Sequence, residues 1–318
     1  MIDFVKVVIT NSINEWSSFY NLLQNKKHNA NTLCDKNGVL IKEVFQMDHS
    51  LKFIIRYNED NTTKRVEMQV SLHKYFAQGY NYNDFTFNHL CRTIISISNT
   101  YGINPSKAII QNLEVGANIA LEDTTQSFLE GLYFYNLTPF HTMKNSYRTP
   151  IGLEATLADY VVKAYDKRRQ LLSHIDIGKE VLRYELHFNR MRKVNKCGIY
   201  ALDDLLEYEN ISALALLLIE SLEGLIHYDS NYLNACKNKL EEDLLNYWSN
   251  PKKVVQMAKE QPQKYRRQRR LFKQLSQRNN ANVISHVQTS LKRKVNNLIC
   301  LDKSTIKQLE YYKSVYLT

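Results

Sequence analysis

Glycine and proline are scarce, with 9 and 5 residues in a chain of 318. So few breakers argue for long elements and against a nucleotide fold built on glycine-rich loops. No Walker-type phosphate loop is present, so no nucleotide cofactor is expected. The five cysteines, at 34, 91, 197, 236 and 300, form no C-x-x-C pair. That excludes a zinc ribbon and fits a reducing compartment. No run reaches 18 apolar residues, and the longest, 211–219, is too short to span a bilayer. The opening Met1-Ile2-Asp3-Phe4-Val5-Lys6 puts an acid and a base where a signal peptide needs an apolar core. A cytoplasmic location without a membrane partner is expected.

What is present is a globular composition, 44% hydrophobic and 11% aromatic, with 21 tyrosines. The net charge of +10 points to a polyanionic partner.

Periodicity sets the order of elements. Residues 3–10 alternate as a strand, and 11–23 carry a helical stripe capped by Asn11 or Ser12. Strands follow at 39–46, 51–57 and 64–75, the last two joined by a polar turn at 58–61. A helix over 84–101, capped by Asn83 or Asp84, leads to a strand over 108–121. There Glu114, Gly116 and Asn118 share the polar face. Gly116 marks either a bulge or a close approach by a ligand or another backbone. A helix over 124–135 and a loop over 138–156, carrying His141, Lys144 and Arg148, come next. After about residue 195 the pattern is helical: 201–207, 211–228, 232–248, 251–259 and 304–315. The expected architecture is α+β: an antiparallel-sheet domain with flanking helices over 1–195, then an all-helical basic region over 196–318.

Two further strands carry the chemistry. In the first, Asp159, Val161, Lys163, Tyr165 and Lys167 point one way. In the second, Leu182, Tyr184, Leu186 and Phe188 can seal a core, while Arg183, Glu185 and His187 face the other side. A tyrosine flanked by two lysines, with a carboxylate and an imidazole to hand, suits phosphoryl transfer. The phenol would be the nucleophile and the lysines would hold phosphate. Short motifs of this kind also decorate plain solvated strand faces. Tyr160 lies at an odd offset from Tyr165, so it belongs to the core unless a bulge turns it into a second nucleophile. Asp166 faces away and is structural. Arg183 either pairs with Glu185 or binds phosphate.

The basic run Lys264, Arg266, Arg267, Arg269, Arg270 and Lys273 is interleaved with Tyr265, Leu271 and Phe272. Charge runs are often solvated faces. This pattern also suits a helix laid on a phosphate backbone, its aromatics packed inward or stacked on bases.

The order of strands carrying Glu114, Tyr165 and Glu185 resembles the rolling-circle replication initiators of filamentous phages, and more distantly those of small plasmids. The resemblance covers about residues 1–210. It rests on Met1-Ile2-Asp3-Phe4-Val5-Lys6, Leu113-Glu114-Val115-Gly116-Ala117-Asn118-Ile119, the tyrosine and Arg-x-Glu strands, and Met191-Arg192-Lys193 through Leu202-Asp203-Asp204-Leu205. It implies a metal-dependent enzyme that nicks one origin strand through a tyrosine. The enzyme stays linked to the 5′ phosphate, leaves a 3′ hydroxyl for a polymerase, works with a host helicase in a bacterial cell, and later rejoins the strand. The implied metal is Mg2+ or Mn2+.

Two departures stand out. The His-hydrophobe-His signature of the wider nicking superfamily is absent, with His73 alone in Ser71-Leu72-His73-Lys74. Metal binding then falls to Glu114 and Glu185, hard oxygen donors, with His187 as a nitrogen ligand or a phosphate-side base. A relaxase or transposase of a mobile element, and a non-enzymatic DNA-binding regulator, are the alternatives.

Overall fold

The computed structural model describes residues 1–9, 13–121, 124–171, 178, 180–278 and 283–316. The chain begins with β1 (Ile2–Ile9) and α1 (Ile13–Lys26), then β2 (Asn29–Cys34), β3 (Leu40–Gln46), β4 (Lys52–Tyr57) and β5 (Thr63–Ser71). Helices α2 (Leu72–Phe76) and α3 (Phe87–Tyr101) lead to the long strand β6 (Ala108–Ile119). Next come α4 (Thr125–Gly131), β7 (Leu132–Tyr135), β8 (Thr138–Pro139), β9 (His141–Lys144), β10 (Pro150–Thr156), β11 (Tyr160–Asp166), α5 (Lys167–Leu171) and β12 (Leu182–Phe188). After α6 (Arg192–Asn195) the chain is mostly helical: α7 (Tyr208–Ser221), the short β13 (Leu225–His227), α8 (Lys239–Trp248), α9 (Pro251–Glu260), α10 (Pro262–Arg278), α11 (Val283–Leu298) and α12 (Lys303–Tyr316). The class is α+β, with a large antiparallel sheet and a helical C-terminal region. None of the described helices is long and apolar enough to cross a membrane.

Two compact units result. The first comprises Met1–Ala117, Glu185–Leu217 and Val295–Thr318, and the second Asn118–Tyr184 and Leu218–Lys294. The chain passes between them inside β6, β12, α7 and α11. The division into units therefore follows packing, whereas the boundary at residue 195 marks the change from strands to helices.

In the first unit the strands run β2-β3-β4-β5-β1-β6. Phe45, Phe53, Met68 and Val7 stand directly opposite one another on four neighbouring strands, all fully buried. Side chains of this size contribute about 1.5–3 kcal/mol each on burial. Helices α1 and α3 seal that face: the Phe19 ring meets Phe53 edge-on at 5.3 Å, and Phe53 meets Tyr101 at 5.1 Å.

The opposite face of the same sheet is polar. Glu67, only 2% exposed, takes ion pairs from Lys6 at 2.9 Å, Arg65 at 3.0 Å and Arg56 at 3.3 Å. Burial alone would raise its pKa, but the hydrogen bond and charge of Lys6, with Arg65 and Arg56, outweigh it and hold the carboxyl below the usual range. A depressed carboxyl stabilises the fold above its unfolded pKa of about 4.3 and loses that contribution as pH falls through its lower folded value. Glu67→Gln should therefore flatten the acid side of the stability curve below about pH 4.3, read from urea midpoints at stepped pH.

In the second unit β11-β10-β9 form one ladder and β13-β7-β8 another. Its helical core joins Trp248, Leu245, Val254, Met257, Tyr265 and Phe272 to Phe134 and Ile226. The rings of Trp248 and Phe272 stack at 4.5 Å and 15°.

Several sequence expectations are corrected. The expected strand over 64–75 stops at Ser71, whose hydroxyl accepts from Lys74 N at 3.2 Å and starts α2. Thr86, not Asn83 or Asp84, caps α3, through a reciprocal pair with His89. The expected loop over 138–156 holds β8, β9 and β10, because Asn145 Oδ1 accepts from Tyr147 N and Thr149 N and closes a hairpin. The helix expected over 124–135 ends at Gly131, and that over 211–228 ends at Ser221, since Leu132–Tyr135 and Leu225–His227 pair as strands. The helix expected over 232–248 starts instead at Lys239, capped by Asn238. Strand β2 was not foreseen. The caps Asn11 and Ser12 lie outside the described residues.

Candidate active site

In the second unit, β11 alternates as the sequence implies. Tyr160, Val162, Ala164 and Asp166 are buried, whereas Val161 and Lys163 are part-exposed. Tyr165 shares the face of Lys163 but is itself only 3% exposed. The strand ends at Asp166, so Lys167 is not a strand residue: it opens α5. The cause is Asp166, whose Oδ1 accepts from Arg168 N at 2.9 Å and Arg169 N at 3.2 Å, while Oδ2 pairs with Arg169 Nε at 3.3 Å. That is the geometry of a helix N-cap. The turn still delivers the Lys167 ammonium to within 5.8 Å of the Tyr165 ring centroid. Lys167 Nζ also donates to Gln170 Oε1 at 2.8 Å, and the residue is fully buried.

Opposite Tyr165 on β10 stands Gly152. A Cβ at 152 would lie 2.2 Å from Tyr165 Cβ and 2.4 Å from the Ala164 carbonyl oxygen. Glycine is the residue that lets the two strands close here. Gly152→Ala should cost about 1–3 kcal/mol of stability by urea unfolding. Tyr165→Phe should not relieve it, because the clash is with backbone and Cβ.

Tyr160 lies in different company. Its hydroxyl donates to Tyr135 Oη at 3.2 Å inside the core. Burial, then Tyr184 and Tyr160, push the Tyr135 phenol up. Burial also raises Tyr184, which shares a 2.8 Å hydrogen bond with Ser221 Oγ. This cluster of buried phenols is core structure. Arg183, 3% exposed, donates from Nη1 to Asn118 Oδ1 at 3.4 Å.

In the first unit, β6 presents Glu114 and β12 presents His187, with Glu114 Oε2 and His187 Nδ1 3.7 Å apart. The His187 ring stacks on Phe4 at 6.2 Å and 25°. Its Nδ1 is buried and finds no hydrogen-bond partner among the described residues. Glu185 is buried at 3% exposure. The three-residue ligand set expected from the sequence is not assembled: among the described residues no three His, Cys, Asp or Glu side chains form a metal-holding group. The Glu114–His187 pair is what the structure offers a cation. It fits an ion that takes its remaining ligands from water and phosphate, the habit of Mg2+. The imidazole favours Mn2+. Nearby, Gly116 N donates to the Met1 carbonyl at 3.0 Å, beside a register irregularity between β1 and β6 at Ile2–Val5.

The six cations of α10 divide into two groups. Lys264, Arg266, Arg267 and Arg270 are exposed. Arg269 and Lys273 are part-exposed and engaged with the protein: Arg269 Nη2 donates to Asn136 Oδ1 at 2.9 Å, and Lys273 Nζ donates to the Glu223 carbonyl. Burial, then Arg269, hold Lys273 below its usual pKa. Asn136 sits at φ +56° in the β7–β8 turn, and Tyr265 Oη also donates to its carbonyl, at 2.7 Å. Tyr265 and Phe272 pack inward; Leu271 is exposed. Arg269→Ala should cost about 1–3 kcal/mol of stability and leave the salt dependence of DNA binding in place. Neutralising Arg266, Arg267 and Arg270 should do the reverse, lowering the log–log salt slope by about 0.7–0.9 per lost phosphate contact in fluorescence titrations.

No protein-family model matches the sequence, and no curated protein matches it. Among solved structures, the chain is similar to the rolling circle replication initiator protein from Geobacillus stearothermophilus. The identity is 11% and the TM-score 0.38, over 71% of this chain and 84% of that one. A likeness of this degree carries no functional argument.

Proposed function

We propose that this chain is a tyrosine-dependent DNA strand-nicking and strand-joining enzyme that initiates rolling-circle replication. The observation that carries the reading is Tyr165: a strand tyrosine with Lys163 on its own face and the Lys167 ammonium against its ring. The other tyrosine of the strand, Tyr160, is committed to a buried phenol pair.

A free phenol, with a pKa near 10, is a weak nucleophile at neutral pH. Adjacent cations favour its anion. The Tyr165 oxygen would bond to phosphorus as the bond to the 3′ oxygen breaks. The phenol proton passes to solvent, and the released 3′ oxygen takes one up, giving the hydroxyl a polymerase extends. The phosphotyrosyl ester keeps the energy of the broken phosphodiester. Attack on it by a 3′ hydroxyl rejoins the strand with no nucleotide cofactor.

Mg2+ or Mn2+, held by Glu114 and His187, would draw charge from the non-bridging phosphate oxygens. The exposed cations of α10, Lys264, Arg266, Arg267 and Arg270, would hold the DNA backbone, whereas Arg183 is buried against Asn118. The substrate is an origin in single-stranded or supercoiled form. The enzyme would work in a bacterial cytoplasm beside a helicase and a polymerase, for a phage, a plasmid or an integrated element.

The test is incubation of the full chain with Mn2+ and supercoiled DNA bearing the native origin. Relaxation to a nicked circle and a protein-linked 5′ end on a denaturing gel are expected. Binding without either product would assign the chain to the non-enzymatic regulators.

A further inference from the structure

The polar face of the first unit's sheet has a charge pattern that folding alone does not call for. Cross-strand register places Lys42, Arg56 and Arg65 side by side on β3, β4 and β5. One row over stand Val44, Ile54, Glu67 and Val8, and in the next Lys52, Gln69, Lys6 and Asn112. Directly opposed residues share a face. Five cations therefore share one surface.

Like charges directly opposite across strands are destabilising. The surface has one counter-charge among these rows, Glu67, and three of the cations already converge on it. The cluster stays net positive with its side chains held in place. Arg56 and Arg65 remain 41% and 39% exposed and Lys6 25%, whereas the opposite face is sealed by helices. Apolar Val8, Val44 and Phe4 lie part-exposed among the charges. The Phe4 ring leads to His187, which stands beside Glu114.

The geometry points to this face as a track for single-stranded DNA, with Lys6, Lys42, Lys52, Arg56 and Arg65 on the phosphates and the strand led along β1 and β6 toward Glu114 and His187. A flat surface that mixes cations with apolar side chains suits unpaired bases, whose faces can rest on it. The inference rests on the nicking reading for the identity of the polyanion. The occupant it commits to is one unpaired strand.

The experiment is fluorescence anisotropy with a labelled 20-nucleotide single strand of mixed sequence, and with its duplex, across a salt series. Two variants of the full chain are needed. Lys42→Gln with Lys52→Gln touches neither Glu67 nor the core. Arg56→Gln, Arg65→Gln and Glu67→Gln together remove the buried carboxylate along with two of its partners, so no buried carboxylate is left unpaired, and the third partner, Lys6, keeps its 25% exposure to solvent. Each variant, shown folded by its melting curve, should bind the single strand about tenfold more weakly at 0.1 M salt. Its log–log slope should fall by about 0.7 per lost contact. Unchanged affinity and slope in both folded variants overturn the track. Duplex bound as tightly as the single strand by the wild type, with the same losses in the variants, overturns its single-strand character. The two readings fail separately. Weaker binding in the variants with no Tyr165 adduct in the wild type sinks the nicking chemistry and keeps the track. An adduct in the wild type with unaltered binding in the variants does the opposite.

Discussion

Tyr165→Phe should abolish the covalent protein–DNA adduct while fold and DNA affinity persist. The substitution removes one oxygen and keeps a ring that is 3% exposed. The contact between the Lys167 ammonium and the ring, worth about 0.5–2 kcal/mol, survives in kind. Stability should then change by no more than about 1–3 kcal/mol, the cost of leaving a buried partner unmatched. The chemistry has no such reserve, because without the phenol there is no atom to form the phosphotyrosyl bond. Tyr160→Phe is the control. It should lose the 3.2 Å hydrogen bond to Tyr135, about 0.5–1.5 kcal/mol, and keep nicking. Adduct yield on a denaturing gel, with peptide mapping of the labelled residue, decides between them. An adduct mapped to Tyr160, or one that persists in Tyr165→Phe, would reverse the assignment of faces on this strand.

The tyrosine strand was legible because one of its faces is sealed. Val162 and Ala164 alternate with Val161 and Lys163, and burial of the first pair fixes where the second must point. The same logic gave β1 and β6. It failed for β2, whose Asn-Ala-Asn-Thr-Leu-Cys is exposed along nearly its whole length and has no face to alternate. It failed for β10, where only Ile151 and Ala155 are buried and Gly152 stands in the pattern for reasons set by a neighbour. Tertiary pairing also overrode local period at 132–135, where strand contacts with β13 displaced the helix.

Site residues divide along the same line. Lys163 and Tyr165 follow from alternation. Lys167 does not, although Asp166 ahead of two arginines is a capping signal that could have placed it on a helix. That Glu114 meets His187 depends on the packing of separate strands, which no local pattern encodes. Arg269 and Lys273 look identical to their neighbours in sequence. Their partners, Asn136 and Glu223, are remote along the chain, so only the fold separates them from the cations left in solvent.

Glu114→Ala and His187→Ala should each weaken Mn2+ binding and slow nicking by roughly 10²–10³-fold, with DNA affinity nearly unchanged. The loss of several kcal/mol of charge stabilisation on the phosphate sets that range. Their pairing at 3.7 Å, with His187 Nδ1 buried and unmatched among the described residues, is what a bound cation would resolve. Glu185→Ala separates chemistry from structure. Its carboxylate is 3% exposed and outside any three-residue ligand group among the described residues, so its removal should appear first as lost stability. Calorimetric titration with Mn2+ reads the three variants side by side. Equal metal affinity in wild type, Glu114→Ala and His187→Ala would remove the metal role from this pair. Loss confined to Glu185→Ala, in protein shown to be folded, would move the ligand to that residue and leave the Glu114–His187 contact a feature of packing.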